Sequence, residues 1–152
     1  MDLPTLPEGY KIRPISKTDY SNGVLETLAT LTTVGPITQT NFEKVIEKWH
    51  AHPDIYKTLV IVDDTNQVAA IGTLLIELKL IHDCSNVGHI EDIAVNSKHQ
   101  GLKFGKFLIL KLIELAKLCD CYKVILDCDV KNQGFYEKCG LKTAGLEMEY
   151  RF

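Results

Sequence analysis

The 152-residue chain has no surplus of positive charge: 17 Lys and Arg stand against 20 Asp and Glu, a formal net charge of −3. Only two of the cations, Arg13 and Arg151, are arginines. The broad basic footprint of a nucleic-acid binder is therefore missing, which excludes nucleic acid as a partner and leaves only local basic clusters suited to small anions. Long apolar runs are also missing. Even Phe107-Leu108-Ile109-Leu110 gives way to Lys111, far short of the roughly 18 residues of a membrane span. The five cysteines, Cys84, Cys119, Cys121, Cys128 and Cys139, are odd in number and contain no C-x-x-C pair. Met1-Asp2-Leu3-Pro4 shows neither a basic region nor the apolar stretch of a secretory signal. Free thiols in a reducing cytoplasm are the expectation. No Pro/Gly-rich or polar tract interrupts a composition that is 45% hydrophobic. A single domain over residues 1–152, large enough to bury a core of its own, follows.

The apolar pattern divides this domain into alternating elements. Residues 9–15 alternate apolar and basic side chains and read as a strand with Pro14 near its end. Val24, Leu25, Leu28 and Leu31 recur at helical spacing over 20–31, and Gly35-Pro36 ends that run. Thr38 or Thr40 can cap a second helix with Phe42, Val45, Ile46 and Trp49 on its buried stripe, ending before Pro53. Residues 56–62 and 67–81 form a hairpin about the turn Asp63-Asp64-Thr65-Asn66. A strand over 87–95, a loop and an amphipathic helix over 103–118 follow. Then come a strand over 122–128, a short helix over 132–139 stopped by Gly140, and a last extended segment over 141–152. The order β-α-α-β-β-β-α-β-α-β is that of a mixed α/β domain.

The stretch 87–108 carries the most chemical information. A strand leads through a glycine-containing loop into a helix, whose first turn offers free N–H groups and the positive end of the dipole to an anion. Gly101-Leu102-Lys103-Phe104-Gly105-Lys106-Phe107 is too short between its glycines for a P-loop and lacks the Ser/Thr after Lys. It is not G-x-G-x-x-G either, so nucleotide hydrolysis and hydride transfer lose support. Gln100, Lys98, Lys103 and Lys106 crowd donors and positive charge at a helix start where a solvated end prefers acidic residues.

Gly88-His89-Ile90-Glu91-Asp92-Ile93-Ala94-Val95 followed by Gln100-Gly101-x-x-x-Gly105 resembles the acetyl-CoA core of the GCN5-related N-acetyltransferase (GNAT) superfamily. More narrowly, the chain is similar to the eukaryotic glucosamine 6-phosphate N-acetyltransferases. Leu31-Thr32-Thr33-Val34-Gly35, Lys79-Leu80-Ile81-His82, Cys121-Tyr122-Lys123-Val124-Ile125-Leu126-Asp127-Cys128 and Phe135-Tyr136-Glu137-Lys138-Cys139-Gly140 carry that likeness in the family's order. The resemblance implies the GNAT fold, a mixed and mostly antiparallel sheet with helices on both faces and a splayed central strand pair. It implies acetyl-CoA as co-substrate and no metal, a phosphorylated amino sugar as acceptor, and a homodimer whose sites lie at the interface. The product would feed UDP-N-acetylglucosamine synthesis.

Site roles follow from the resemblance residue by residue. Ile93, Ala94 and Val95 would meet the pantetheine and acetyl carbonyl through backbone. Gln100, Gly101, Leu102, Lys103, Phe104, Gly105, Lys106 and Asn132 would hold the rest of the coenzyme. Tyr136 matches the tyrosine that protonates the departing thiolate, and Asp127 the residue whose backbone carbonyl orients the amine. Thr32, Lys79, His82, Glu91, Asp92, Ile93, Tyr122, Lys123 and Arg151 match sugar-phosphate positions. The superfamily loop has glycine where this chain has Lys103. Its Cβ disfavours φ > 0 and could narrow the cleft, or its side chain could supply a charge contact in place of a backbone one; the second is preferred.

Other groupings carry less. Glu91 and Asp92 are adjacent on a strand and point to opposite faces, so they form no close dyad unless a bulge re-aims one. His50-Ala51-His52 has no Cys or carboxylate cluster to complete a metal site. Cys84 and His89 lack a third orienting group for a Cys–His acyl-enzyme. Two rivals stand beside the main reading: the same fold acting on a polyamine or protein amine, and a non-catalytic acyl-CoA-binding module.

Overall fold

The computed structural model describes residues 2–152. Its centre is a five-stranded sheet in the order β1 (Lys11–Pro14), β2 (Tyr56–Val62), β3 (Val68–Glu77), β4 (Asn86–Val95) and β5 (Cys121–Ile125). The first four strands are antiparallel neighbours, and β5 joins β4 in parallel. Helices α1 (Val24–Leu28) and α2 (Gln39–Ala51) cover one face, while α3 (Phe104–Leu118) crosses the other between β4 and β5. The short α4 (Gln133–Glu137) follows β5. This is the mixed, mostly antiparallel sheet with helices on both faces that the resemblance implied.

The core divides by face because strand side chains alternate. Val60, Val62, Val68, Ile71 and Ala94 pack against Val24, Phe42 and Ile46. Leu74, Ile76 and Ile90 pack against Ile109, Leu112 and Ala116 of α3. The helix lies so close that a Cβ on Gly88 would fall 2.9 Å from Leu74 Cδ1 and 3.2 Å from Ala116 Cβ. Glycine at that position sets how near α3 can sit.

Three elements differ from the sequence-based expectation, each for a tertiary reason. The helix expected over 20–31 is a 3₁₀ turn, Lys17–Ser21, and the single-turn α1. Buried Asp19 is held by Arg13 at 2.7 Å and by the Ser16 N–H at 2.8 Å, Asn22 O accepts from the Val68 N–H, and Gly23 turns the chain at φ 87°. β3 stops at Glu77 instead of running to 81, because Ile81–Cys84 forms a tight turn with His82, Asp83 and Cys84 all left-handed (φ 50°, 57° and 60°). The tail over 141–152 is not a strand. Leu146, Met148, Tyr150 and Phe152 alternate with polar residues as a strand would, yet all four are exposed and none has a sheet partner among the described residues.

Candidate active site

Pairing between β4 and β5 ends at His89↔Ile125, although β4 continues to Val95. Beyond that point the two strands part, and the opening exposes one backbone edge of β4. The Asn96 N–H donates to Ala69 O at 2.8 Å, on the β3 side. Strand alternation then turns the N–H and C=O groups of Val95, and of Ile93 two residues back, to the open side. Thr30 Oγ1 donates to Val95 O at 3.3 Å, as that orientation requires.

A bulge re-aims the acidic pair. Ile71 faces Ala94 and Thr73 faces Glu91, so Asp92 and Ile93 together oppose the single residue Gly72. Asp92 absorbs the extra residue at φ 52°. Glu91 and Asp92 consequently border the same cleft despite their adjacency in sequence, together with Leu31, Ile90, Ile93, Leu126, Asp127 and Tyr136. Partial burial, reinforced by the negative charges of Asp92 and Asp127, raises the Glu91 carboxyl above its ordinary pKa. The cleft thus favours a bound cation, such as an ammonium that becomes a reactive amine.

A second cleft runs along the same gap. Ile93, Val95, Gln100, Gly101, Lys103, Phe104, Gly105, Lys106, Asn132 and Tyr136 line it, with His99 and Phe135. Gly101, at φ 83°, has open space where a Cβ would point. Gly105 lets the first turn of α3 lie under Phe135, whose Cζ would be 3.3 Å from an added Cβ. Glycines, two lysines and a helix N-terminus form a cradle suited to phosphates. The apolar wall of Ile93, Val95 and Phe135 suits a pantetheine arm.

Ile93 and Tyr136 belong to both clefts. Tyr136 sits on α4 and is partly buried; burial raises its phenol pKa above the usual tyrosine value, with nearby Cys128 and Cys139 adding to the effect. A phenol in that state keeps its proton at neutral pH and can donate it.

Not every residue singled out in the sequence reaches these clefts. Ala94 is buried among Val24, Phe42 and Ile71 on the opposite face, because β4 alternation turns its side chain away. Leu102 projects from the loop at 40% exposure and lines neither cleft. Thr32 lies in the loop beside Leu31 without lining the acidic cleft. Lys79, His82, Tyr122 and Lys123 gather at the far end of the sheet. There the His82 ring stacks on Tyr122 with centroids 4.1 Å apart, and Lys123 Nζ lies 5.5 Å from the Tyr122 ring centre. Lys79 Nζ is held by Glu77 at 2.9 Å. Four residues of β5 and its continuation lie between Tyr122 and Asp127, which puts the two about 16 Å apart at strand rise. Arg151 lies in the tail, paired with Glu149 at 2.9 Å. Sequence reasoning missed His99 and Phe135, whose only signal was adjacency to Gln100 and Tyr136.

Lys103 occupies the loop's glycine position in glycine's conformation, φ 61° and ψ 23°, as N-cap of α3. A left-handed non-glycine costs about 1–2 kcal/mol, of which a glycine's greater unfolded freedom returns roughly 0.5–1. Lys103→Gly should therefore stabilise the chain by about half to one kcal/mol in thermal melts. It should also raise KM for acetyl-CoA through loss of the charge. Lys103→Ala should raise that KM without stabilising. Unchanged coenzyme kinetics in both variants would remove Lys103 from the site.

The family model for the acetyltransferase (GNAT) family matches residues 23–141. A glucosamine 6-phosphate N-acetyltransferase of Candida albicans is 50% identical over 147 residues, covering 97% of this chain and 99% of that protein. The crystal structure of glucosamine-6-phosphate N-acetyltransferase from Arabidopsis thaliana superposes with a TM-score of 0.91 at 38% identity, covering 95% of this chain and 99% of that one. An acetyltransferase of Trypanosoma brucei gives a TM-score of 0.86 at 30% identity, over 94% and 99% of the two chains. A family match over most of the chain, a 50% identical relative covered almost end to end and a fold superposing at a TM-score of 0.91 agree: the chain belongs to the GNAT acetyltransferase family.

Proposed function

We propose that the protein transfers the acetyl group of acetyl-CoA to the amine of D-glucosamine 6-phosphate, giving N-acetyl-D-glucosamine 6-phosphate and CoA. The observation that carries this reading is the meeting of a basic, glycine-lined cleft and an acidic one at Tyr136 and Ile93. A thioester in the first and an amine in the second would have their reacting atoms brought together there. Direct attack in a ternary complex then needs no covalent enzyme intermediate, and positioning supplies much of the acceleration. The acidic cleft collects the ammonium form, which gives one proton to water or to the surrounding carboxylates, and the Asp127 backbone carbonyl orients the amine that forms. The nitrogen attacks the thioester carbon, and the open-side N–H groups of Ile93 and Val95 stabilise the oxyanion. As the C–S bond breaks, Tyr136 gives its proton to the sulfur, and the new amide nitrogen releases one to the carboxylates or to water.

The sugar phosphate needs cations that the acidic cleft lacks. Lys79, Lys123 and Arg151 lie outside it in a single chain, which is why we infer a homodimer in which the partner supplies them. The exposed apolar alternation of the tail and the open edge of β5 suit such an assembly. A cytoplasmic setting and a place in UDP-N-acetylglucosamine formation accord with this assignment. One observation favours a second acceptor: Glu91, Asp92 and Asp127 would equally attract a polyamine. Thiol release measured with glucosamine 6-phosphate, glucosamine and spermidine separates the readings. Turnover should be far greatest with the phosphorylated sugar; a preference for spermidine, or equal use of glucosamine, would refute the assignment.

A further inference from the structure

The wall of the glycine-lined cleft holds one titratable ring to which the reading above gives no role. His99 ends the 3₁₀ turn Ser97–His99 that follows β4, and it lines the cleft beside Gln100, Gly101, Lys103 and Lys106. Its ring is not loosely placed. Tyr10, from the segment leading into β1, sets its hydroxyl 2.9 Å from His99 Nδ1, and the two rings meet edge to face with centroids 5.7 Å apart. Tyr10 is itself packed against Phe104, the first residue of α3, at 4.8 Å between centroids. A segment some ninety residues away in sequence thus fixes one imidazole nitrogen. Among the described residues Nε2 has no hydrogen-bond partner, so it is the nitrogen left for a ligand.

We propose that His99 is a further coenzyme-binding residue, its Nε2–H donating to a phosphate oxygen, and that Tyr10 is the positioning residue that fixes the ring for this contact. The assignment rests on the reading that acetyl-CoA occupies this cleft. The tyrosine hydroxyl can donate to a bare Nδ1 or accept from Nδ1–H. With the hydroxyl donating to a bare Nδ1, the ring carries its hydrogen on Nε2, and that N–H is the donor a phosphate oxygen can accept. Lys103 and Lys106 line the same cleft, so a phosphate bound there would meet His99 together with two lysines.

Calorimetric binding of CoA, 3′-dephospho-CoA and phosphate-free pantetheine to the full chain tests this. His99→Phe keeps a ring of similar size and removes both nitrogens. It should weaken CoA about tenfold and leave pantetheine unchanged. His99→Gln, which retains a donor near the Nε2 position, should recover part of the loss. Tyr10→Phe should give a smaller loss, about threefold, again confined to the phosphorylated ligands. A His99→Phe loss that disappears with 3′-dephospho-CoA assigns the contact to the 3′-phosphate, and one that persists assigns it to the pyrophosphate. Equal weakening of pantetheine and CoA would reduce His99 to a packing residue, and unchanged CoA binding would overturn the assignment alone. Wild-type protein that bound none of the three would overturn the coenzyme reading and this inference with it.

Discussion

Tyr136→Phe is expected to lower kcat by on the order of 10²-fold or more while moving either KM by about twofold at most. The substitution removes one oxygen from a ring that lines both clefts, so shape and apolar burial stay nearly constant. What is lost is the proton for the departing thiolate, an interaction made only as the C–S bond breaks, and such losses fall on kcat. The direction of the phenol's pKa adds a second expectation. Because burial raises it, the protonated donor form persists through neutral pH, and wild-type kcat should show no alkaline limb from this group below the ordinary tyrosine range of about 10. Steady-state kinetics with both substrates varied, over a pH series, checks the two together. A Phe variant with near wild-type kcat would show that the thiolate leaves without help from this residue.

The second large effect is expected from Arg151→Ala. Removing a charged hydrogen bond to phosphate is worth about 1.5–3 kcal/mol, so KM for glucosamine 6-phosphate should rise roughly 10- to 100-fold. KM for acetyl-CoA should hold. The location of Arg151 makes a sharper experiment possible. It sits in an exposed tail that pairs with no strand among the described residues, where neighbouring Glu149 holds its guanidinium. If the partner's site uses this arginine, co-expressing Arg151→Ala chains with Tyr136→Phe chains creates hybrid dimers in which one site has both residues intact. About a quarter of wild-type activity should return when two-fold dimers form at random. If each chain serves its own site, every site in the mixture carries one lesion and nothing returns.

The contrast between Tyr136 and Arg151 shows where local sequence is informative. Val87 to Leu118 reads well as strand, loop and helix because its signals are local: period-two alternation, then glycines, then a helical stripe that α3 buries. Lys103 could be recognised as a misfit from the sequence, since one residue's preferred φ is a local property, and the structure gives it φ 61°. The first helix was overread because apolar spacing in 20–31 carries no trace of Asp19. That carboxylate turns the chain inward only when Arg13 of β1 and the main chain of β3 are in place. His99 was invisible as a site for a similar reason. Its partner Tyr10 comes from the far end of the chain, and no local pattern records such a pairing.

By itself the sequence determined most of the element types, the sheet-and-helix class and the residues of the glycine loop, because hydrophobic period and backbone preference act over a few neighbours at a time. Only the tertiary structure decided that β4 and β5 separate after His89, that a bulge at Asp92 puts two adjacent carboxylates on one cleft, and that Tyr136 stands where both clefts meet. Register and strand separation depend on pairing between residues distant along the chain, so they arise only once the sheet has formed.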